Sequence, residues 1–202
     1  MQDITAITAF KDNYIWCLRQ AKLALVVDPG DAAVVQQHLQ QHQLQLAVIL
    51  ITHHHPDHTG GILALKQLWP DAVVYAPALE QNKISYADHW LEDNEQLELT
   101  DFNLTFQVMQ LPGHTLGHIA YYSAPILFCG DTLFNAGCGR LFEGTATQMW
   151  QSLSRILALP DQTLIYATHE YTLANLEFAL WADPDNQTLA SYQHWCQQQR
   201  AK

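Results

Sequence analysis

The hydrophobic positions of this chain fall into short runs separated by polar turns. Apolar or alternating segments predict β-strands near Ile4–Ile7, Tyr14–Leu18, Leu23–Val27, Val48–Thr52 and Val73–Tyr75. Further strands are predicted near Leu97–Leu99, Leu104–Gln110, Ile119–Tyr122, Ile126–Cys129 and Thr163–Ala167, with a hairpin turn at the intervening TDFN. Helical spacing appears over Asp31–His42, where Asp31 can cap a helix that carries Val34, Val35 and Leu39 on one side. It recurs over Gly61–Leu68, stopping before Pro70, over Thr147–Leu159, stopping before Pro160, over Thr172–Trp181, and over Gln187–Gln199. Strands come in clusters with helices between them, so two sheets covered by helices fit better than a strictly alternating α/β chain.

There is no repeat, low-complexity tract or linker, and 202 residues, 49% of them hydrophobic, suit one sizeable globular domain or one with a small appendage. A net charge of −11 argues against nucleic acid or an anionic membrane as a partner. No apolar run is long enough for a bilayer, and MQDITAITAF lacks a charged-then-apolar leader pattern, so a cytoplasmic protein is expected. Cys17, Cys129, Cys138 and Cys196 form no CxxC pair and read as reduced, packed thiols rather than disulfides or zinc ligands.

The exception to this ordinary pattern is AVILITHHHPDHTGG, 47–61, where an apolar strand runs into four histidines and an aspartate. Side chains alternate sides at the end of an extended segment, so His53 and His55 point one way and His54 the other. Pro56 bends the chain, Asp57 and His58 follow in the turn, and the two glycines let a helix start close by. Three later segments echo this arrangement at strand ends: His114 in QLPGHTLGH, Asp131 in ILFCGDTLF and His169 in LIYATHEYT. His53, His55, Asp57, His58, His114, Asp131 and His169 are too many donors for one tetrahedral ion and enough for two ions sharing a ligand. The set holds no cysteine and points to a two-metal hydrolytic centre, with ions ~3.5–4 Å apart, rather than to a closed structural zinc site. His38, His42, His89 and His194 read as solvated, and His118 is open between support of the centre and plain structure.

The motifs THHHPDHTGG, PGHTLGH, GDTLF and THEYT resemble the metallo-β-lactamase superfamily, and FKDNYIW, VDPGD, GCGRLFEGT and HEYTLANLEFA are similar to its glyoxalase II (hydroxyacylglutathione hydrolase) members. The resemblance spans essentially the whole chain. It implies an αββα four-layer sandwich, an α/β (α+β) fold with the centre at one edge, a catalytic part over 1–170 and a helical C-terminal segment over 171–202. It also implies that His53, His55 and His114 hold one divalent ion, that Asp57, His58 and His169 hold the other, and that Asp131 bridges them. Zinc is the expected metal, with iron and manganese as alternatives. Arg140, Phe142 and Tyr171 would touch glutathione, with Phe142 standing where some relatives carry tyrosine.

The expected reaction is hydrolysis of S-(2-hydroxyacyl)glutathione thioesters such as S-D-lactoylglutathione, in methylglyoxal detoxification, by a monomer. Two cations lower the pKa of a shared water enough to form hydroxide near neutral pH, and Asp57 and Asp131 are the catalytic carboxylates. A thiolate of solution pKa about 8.5 departs without a strong general acid. Glu143 and Glu170, the acids left over in these motifs, read as structural. No lysine or arginine lies between Lys83 and Arg140, which leaves Arg140 to meet a substrate carboxylate. The chain stops at WCQQQRAK, before the family's usual basic C-terminal segment, as a natural short form or a truncated one. An intact metal site with weakened glutathione binding is therefore expected, and the alternative is a hydrolase of the same fold acting on another thioester or ester. A β-lactamase, a phosphodiesterase or nuclease, a mononuclear dioxygenase and a decayed metal-binding domain are the other readings. Respectively, Asp131 in place of a cysteine, the acidic charge, the second ligand set and the completeness of all seven donors speak against them.

Overall fold

The computed structural model describes residues 3–200. The first half builds a six-stranded sheet from β1 (Asp3–Ala9), β2 (Asn13–Gln20), β3 (Leu23–Val27), α1 (Ala32–Gln41), β4 (Gln45–Leu50), α2 (Pro56–Thr59), α3 (Ile62–Leu68), β5 (Val73–Pro77) and β6 (His89–Leu91). Its strands lie in chain order, β1 to β3 antiparallel and β3 to β6 parallel. The second half contributes β7 (Gln96–Leu99), β8 (Leu104–Gln110), β9 (Ile119–Ser123) and β10 (Ile126–Gly130). It continues with a small hairpin of β11 (Leu133–Phe134) and β12 (Gly137–Cys138), then α4 (Ala146–Leu157), β13 (Leu164–Ala167), α5 (Thr172–Ala182) and α6 (Gln187–Arg200). Here the strand order is β13-β10-β9-β8-β7, with β13 parallel to β10.

Period-two alternation with both faces buried explains the layering. Along the first sheet, Cys17, Val26 and Ile49 point outward onto Val35 and Leu39 of α1 and Ile62 and Leu65 of α3. Their neighbours Leu18, Leu25 and Leu50 point inward, against Leu97, Phe106, Val108, Tyr121 and Phe128 of the second sheet. On its far side the second sheet buries Met109, Ala120, Leu127 and Cys129 against Ile156 of α4. Helix, sheet, sheet, helix is the αββα sandwich.

The expected spans Leu23–Val27 and Leu104–Gln110 are the observed ones, and Asp31 caps α1 by accepting the Ala33 amide at 2.9 Å. TDFN forms a 3-10 turn closed by Asn103 in the left-handed region, φ 50°. The strand expected over Val48–Thr52 ends at Leu50, because the Thr52 amide is drawn onto the Asp28 carboxylate at 2.7 Å. α4 starts at Ala146 rather than Thr147, fixed by a capping box between Thr145 and Gln148. β6, β11, β12 and α2 were not expected, being of two to four residues and too short to show a period. Positions 1–2 and 201–202, the outer limits of the two expected parts, lie outside the described residues.

This topology positions the chemistry. β3, β4, β10 and β13 all run toward one edge of the sandwich, and the residues that follow them meet there. The two halves are stitched at that edge by the Ile119 amide on the Thr52 carbonyl (2.9 Å) and the Tyr14 amide on the Thr168 carbonyl (2.6 Å).

Candidate metal centre

Beyond β4 the chain bends at Thr52 and His53, then enters α2 with Pro56 in its first turn. His53 and His55 thereby face one point: His53 Nε2 lies 3.0 Å from His55 Nδ1, and His114 Nε2 lies 3.0 Å from the same atom. His54 turns away, toward Glu80 and Glu143. From α2, His58 Nε2 lies 3.6 Å from Asp57 Oδ2 and 3.4 Å from Asp131 Oδ1. His169, after β13, sets Nε2 3.4 Å from Asp57 Oδ2 and 3.3 Å from Asp131 Oδ2. His114 Nε2 is also 3.3 Å from Asp131 Oδ2, so this carboxylate stands between both halves of the cluster. Three overlapping groups result: His53/His55/His114, His53/His58/Asp131 and Asp57/His58/His169.

Most of the inward atoms are aimed by a partner on the outward side. His58 Nδ1 is 3.0 Å from the buried Asp28 carboxylate, His114 Nδ1 donates to the Arg140 carbonyl at 2.7 Å, and His169 Nδ1 donates to Asp12 at 2.9 Å. Thr52 Oγ1 lies 3.1 Å from His53 Nδ1, and Asn13 Nδ2 donates to Asp57 Oδ2 at 2.9 Å. Contacts of this kind fix ring orientation and tautomer and leave the inner nitrogen with a free lone pair. His118, fully buried, accepts the Asp131 amide at Nε2 (3.1 Å) and stacks on His53 at 4.9 Å. Asp131 follows Gly130, which has φ +48°; a Cβ there would meet Thr52 Oγ1 at 2.4 Å and His118 Nε2 at 2.7 Å, so only glycine makes this turn.

The electrostatics divide the cluster. Burial, reinforced by neighbouring imidazoles, lowers His53 well below its ordinary value and His55 to about 4. Burial opposes protonation of His58 and His169 too, but Asp131, Asp28 and Asp57 raise His58 to about 9, and Asp131, Asp57 and Asp12 raise His169 to about 10. Asp57 and Asp131 are both lowered, despite their burial, by the histidines beside them. One half is a set of neutral nitrogens facing one another; the other is a pair of carboxylates that demand positive charge. Among the described residues the buried His58 Nε2 and Asp131 Oδ1 have no hydrogen-bond partner. Imidazole and carboxylate atoms from seven residues, gathered in overlapping groups whose members lie within 4.8 Å of one another, make a mixed nitrogen/oxygen set of the kind divalent cations take, so the residues fit a two-metal site.

Around the mouth, Phe142 is 57% exposed and meets His55 and His114 edge-on at 5.2 Å. The Arg140 guanidinium lies 5.0 Å from the Phe142 ring, and Tyr171 stacks on His169 at 5.0 Å with a 3° interplanar angle. A cleft of about 410 Å³ bordered by Tyr14, Phe134, His169 and Thr172 opens beside them. The two larger cavities, about 520 and 560 Å³, lie elsewhere and contain none of the seven donors. Asp12, Asn13, Asp28 and Thr52 were not singled out by sequence reasoning. Asp28 had a usable signal, since it follows an apolar strand as Asp131 does; Asp12 and Asn13 had none beyond the resemblance of FKDNYIW. Glu143 and Glu170 are engaged in contacts with Lys83 and the Leu116 amide, and with Arg200 and the Thr172 amide.

Family comparison agrees with this geometry. The model of the metallo-beta-lactamase superfamily matches residues 11–169, and that of the hydroxyacylglutathione hydrolase C-terminus matches 170–202. The chain is 52% identical, over 94% of its length and 73% of the relative's, to a hydroxyacylglutathione hydrolase of Aeromonas hydrophila. Among solved structures it is similar to the BLEG-1 B3 metallo-beta-lactamase (TM-score 0.75, 28% identity, 84% of this chain and 92% of that one). It is also similar to TTHA1623 in a di-iron-bound form (TM-score 0.69, 28% identity, 82% and 92%). The fold and the paired histidine–carboxylate cluster are those of a metallo-β-lactamase-type enzyme. Within that superfamily, the chain belongs to the hydroxyacylglutathione hydrolases.

Proposed function

We propose that this enzyme hydrolyses S-(2-hydroxyacyl)glutathione thioesters, S-D-lactoylglutathione among them, to glutathione and a 2-hydroxy acid, in methylglyoxal detoxification. The observation that carries the reading is the convergence of seven histidine and aspartate side chains into overlapping groups whose donor atoms lie within 4.8 Å of one another. His53, His55 and His114 would hold one ion, Asp57, His58 and His169 a second, and Asp131 both; zinc is the metal proposed, with iron or manganese able to use the same donors. Bound there, the cations supply Lewis acidity, acidifying a shared water and polarising the carbonyl.

The chain's own residues do the rest. Asp57, half-buried and fixed by Asn13, accepts a hydrogen bond from the attacking water and orients it toward the thioester carbon. Asp131 offsets the positive charge of the site from its centre. The water oxygen adds to the carbonyl carbon and gives up one proton to solvent, and cleavage of the C–S bond then releases the acid and a thiolate, whose pKa of about 8.5 lets it leave without a dedicated acid. Arg140 pairs with a glutathione carboxylate by parallel hydrogen bonds, while Tyr171 and Phe142 flank the substrate.

No helix among the described residues is long and apolar enough to cross a membrane. The reading places the enzyme in the cytoplasm, supported by four free cysteines and a thiol-releasing substrate, as a monomer that does not bind nucleic acid, in keeping with its −11 charge. It assigns catalysis to 1–170 and a helical C-terminal part to 171–202, supported by the two separate family matches.

The test is turnover of S-D-lactoylglutathione beside a thioester lacking glutathione and beside nitrocefin, with metal content measured on the same sample. Preference for the glutathione thioester is expected. Equal turnover of the glutathione-free thioester would favour a general thioesterase, and nitrocefin hydrolysis a lactamase.

A further inference from the structure

Behind the three-imidazole half of the centre lies a second polar cluster that the hydrolytic chemistry does not use. Glu80, in the short 3-10 turn after β5, is only 1% exposed, yet among the described residues no lysine or arginine is paired with it. Its Oε1 accepts the Thr115 hydroxyl at 2.5 Å, and its Oε2 lies 3.0 Å from His54 Nδ1, an electrostatic contact rather than an aligned hydrogen bond. Across the His54 ring, Nε2 is 3.7 Å from Glu143 Oε1, while Glu143 Oε2 accepts the Leu116 amide at 2.9 Å. The loop after His114 lies tight against Glu80: a Cβ on Gly117 would meet Glu80 Cγ at 2.4 Å.

A buried carboxylate is costly, and a buried ionic contact often adds nothing to stability over an apolar replacement. What this one provides is placement. His54 is the residue between His53 and His55, and Thr115 is the residue after His114. We propose that the Glu80 carboxylate is a positioning group for the three-imidazole half of the metal centre, gripping from one buried point the chain neighbours of all three histidines. The proposal rests on the assignment of His53, His55 and His114 to a single ion. Without Glu80 the two loops are free to spread, and the inner atoms now 3.0 Å apart lose their common focus.

The test uses Glu80→Gln, which keeps an acceptor for Thr115 but sets a neutral amide against His54. Thr115→Val removes the hydroxyl alone, and Thr115→Ser restores it. Metal-free protein is titrated with Co(II) against a chelating indicator, and occupancy and the visible spectrum are recorded, followed by kcat and KM for the thioester. Glu80→Gln should weaken one of two ions about 10- to 100-fold, as loss of an outer partner of a metal site does, and change the Co(II) spectrum. Thr115→Val should act in the same direction, and Thr115→Ser should recover the parental spectrum. Because Arg140, Phe142 and Tyr171 are untouched, kcat should fall while KM holds. Parental affinity for both ions together with a parental spectrum in Glu80→Gln and Thr115→Val overturns the proposal. If Glu80→Gln does not fold, Thr115→Val decides alone. His114→Ala serves as the reference: if it too keeps two tight ions, the ligand assignment itself fails, whereas if it loses one and Glu80→Gln does not, only the positioning role fails.

Discussion

Replacing Asp28 by asparagine isolates what one buried carboxylate does for the site. Asp28 is 1% exposed and sits at φ +54°, a left-handed conformation that asparagine tolerates, so the backbone has no reason to move. Oδ1 accepts the Thr52 amide at 2.7 Å; Oδ2 accepts the Thr52 hydroxyl at 2.7 Å and the Thr168 hydroxyl at 3.5 Å, and lies 3.0 Å from His58 Nδ1. In the variant the carbonyl keeps the amide, and the new NH₂ faces the two hydroxyls and the ring nitrogen. Hydroxyls can rotate to accept. With an ion at Nε2, His58 carries its single proton on Nδ1, so accepting from the new NH₂ would require that proton to sit on Nε2 instead, taking the lone pair away from the ion. Exchanging charge-assisted for neutral hydrogen bonds lowers stability by about 1–3 kcal/mol, or roughly 2–10 °C in Tm for a domain of this size. The tautomer change should weaken the ion held by His58 by about 10- to 100-fold. Thermal unfolding of metal-free and metal-loaded Asp28→Asn, with competitive metal titration, reads both. A variant that melts within about 1 °C of the parent in both states and binds both ions equally well refutes the reasoning.

Arg140→Ala should raise KM for the glutathione thioester by roughly tenfold, the worth of one charge-assisted contact, while leaving a glutathione-free thioester unaffected; equal effects on both substrates would contradict a glutathione contact. Dialysis against a chelator should abolish turnover and lower Tm, because ions that bind only the folded state stabilise it, and divalent metal should restore both. Asp93 meets Arg155 at 3.0 Å and accepts the Gln110 amide; burial raises its carboxyl, but these partners hold it below the ordinary value. Its stabilisation is therefore present above the unfolded carboxylate pKa of about 4 and lost as pH falls through the depressed one. Asp93→Asn should thus melt lower than the parent at neutral pH and converge with it as the pH falls through the depressed value, and a Tm gap that stays constant across the acid range would be inconsistent with the sign.

Much of this molecule was legible in its residues because the two strongest signals are local. The alternation of Cys17 with Leu18, Val26 with Leu25 and Ile49 with Leu50 writes a sheet with two buried faces directly into the chain. The candidate ligands each follow an apolar strand, which marks them as residues of one sheet edge. What was not legible is non-local. Nothing in the spacing shows that Asp12 reaches His169, 157 positions away, or that Glu80 reaches Thr115, 35 positions away. These pairings depend on how the strands are ordered, not on any period within them. The early end of β4 has the same origin: the Thr52 amide is claimed by Asp28 across the sheet. Short elements such as α2 and the β11–β12 hairpin escaped because two to four residues carry no periodicity, although α2 presents Asp57 and His58.

The central claim, that two adjacent cations at this sheet edge carry thioester hydrolysis, is tested most directly by titrating metal-free enzyme with zinc while following S-D-lactoylglutathione cleavage and bound metal together. Full activity should be reached at two equivalents per chain and fall away with either ion. Full activity at one equivalent, or two bound ions with no cleavage of the thioester, would contradict it.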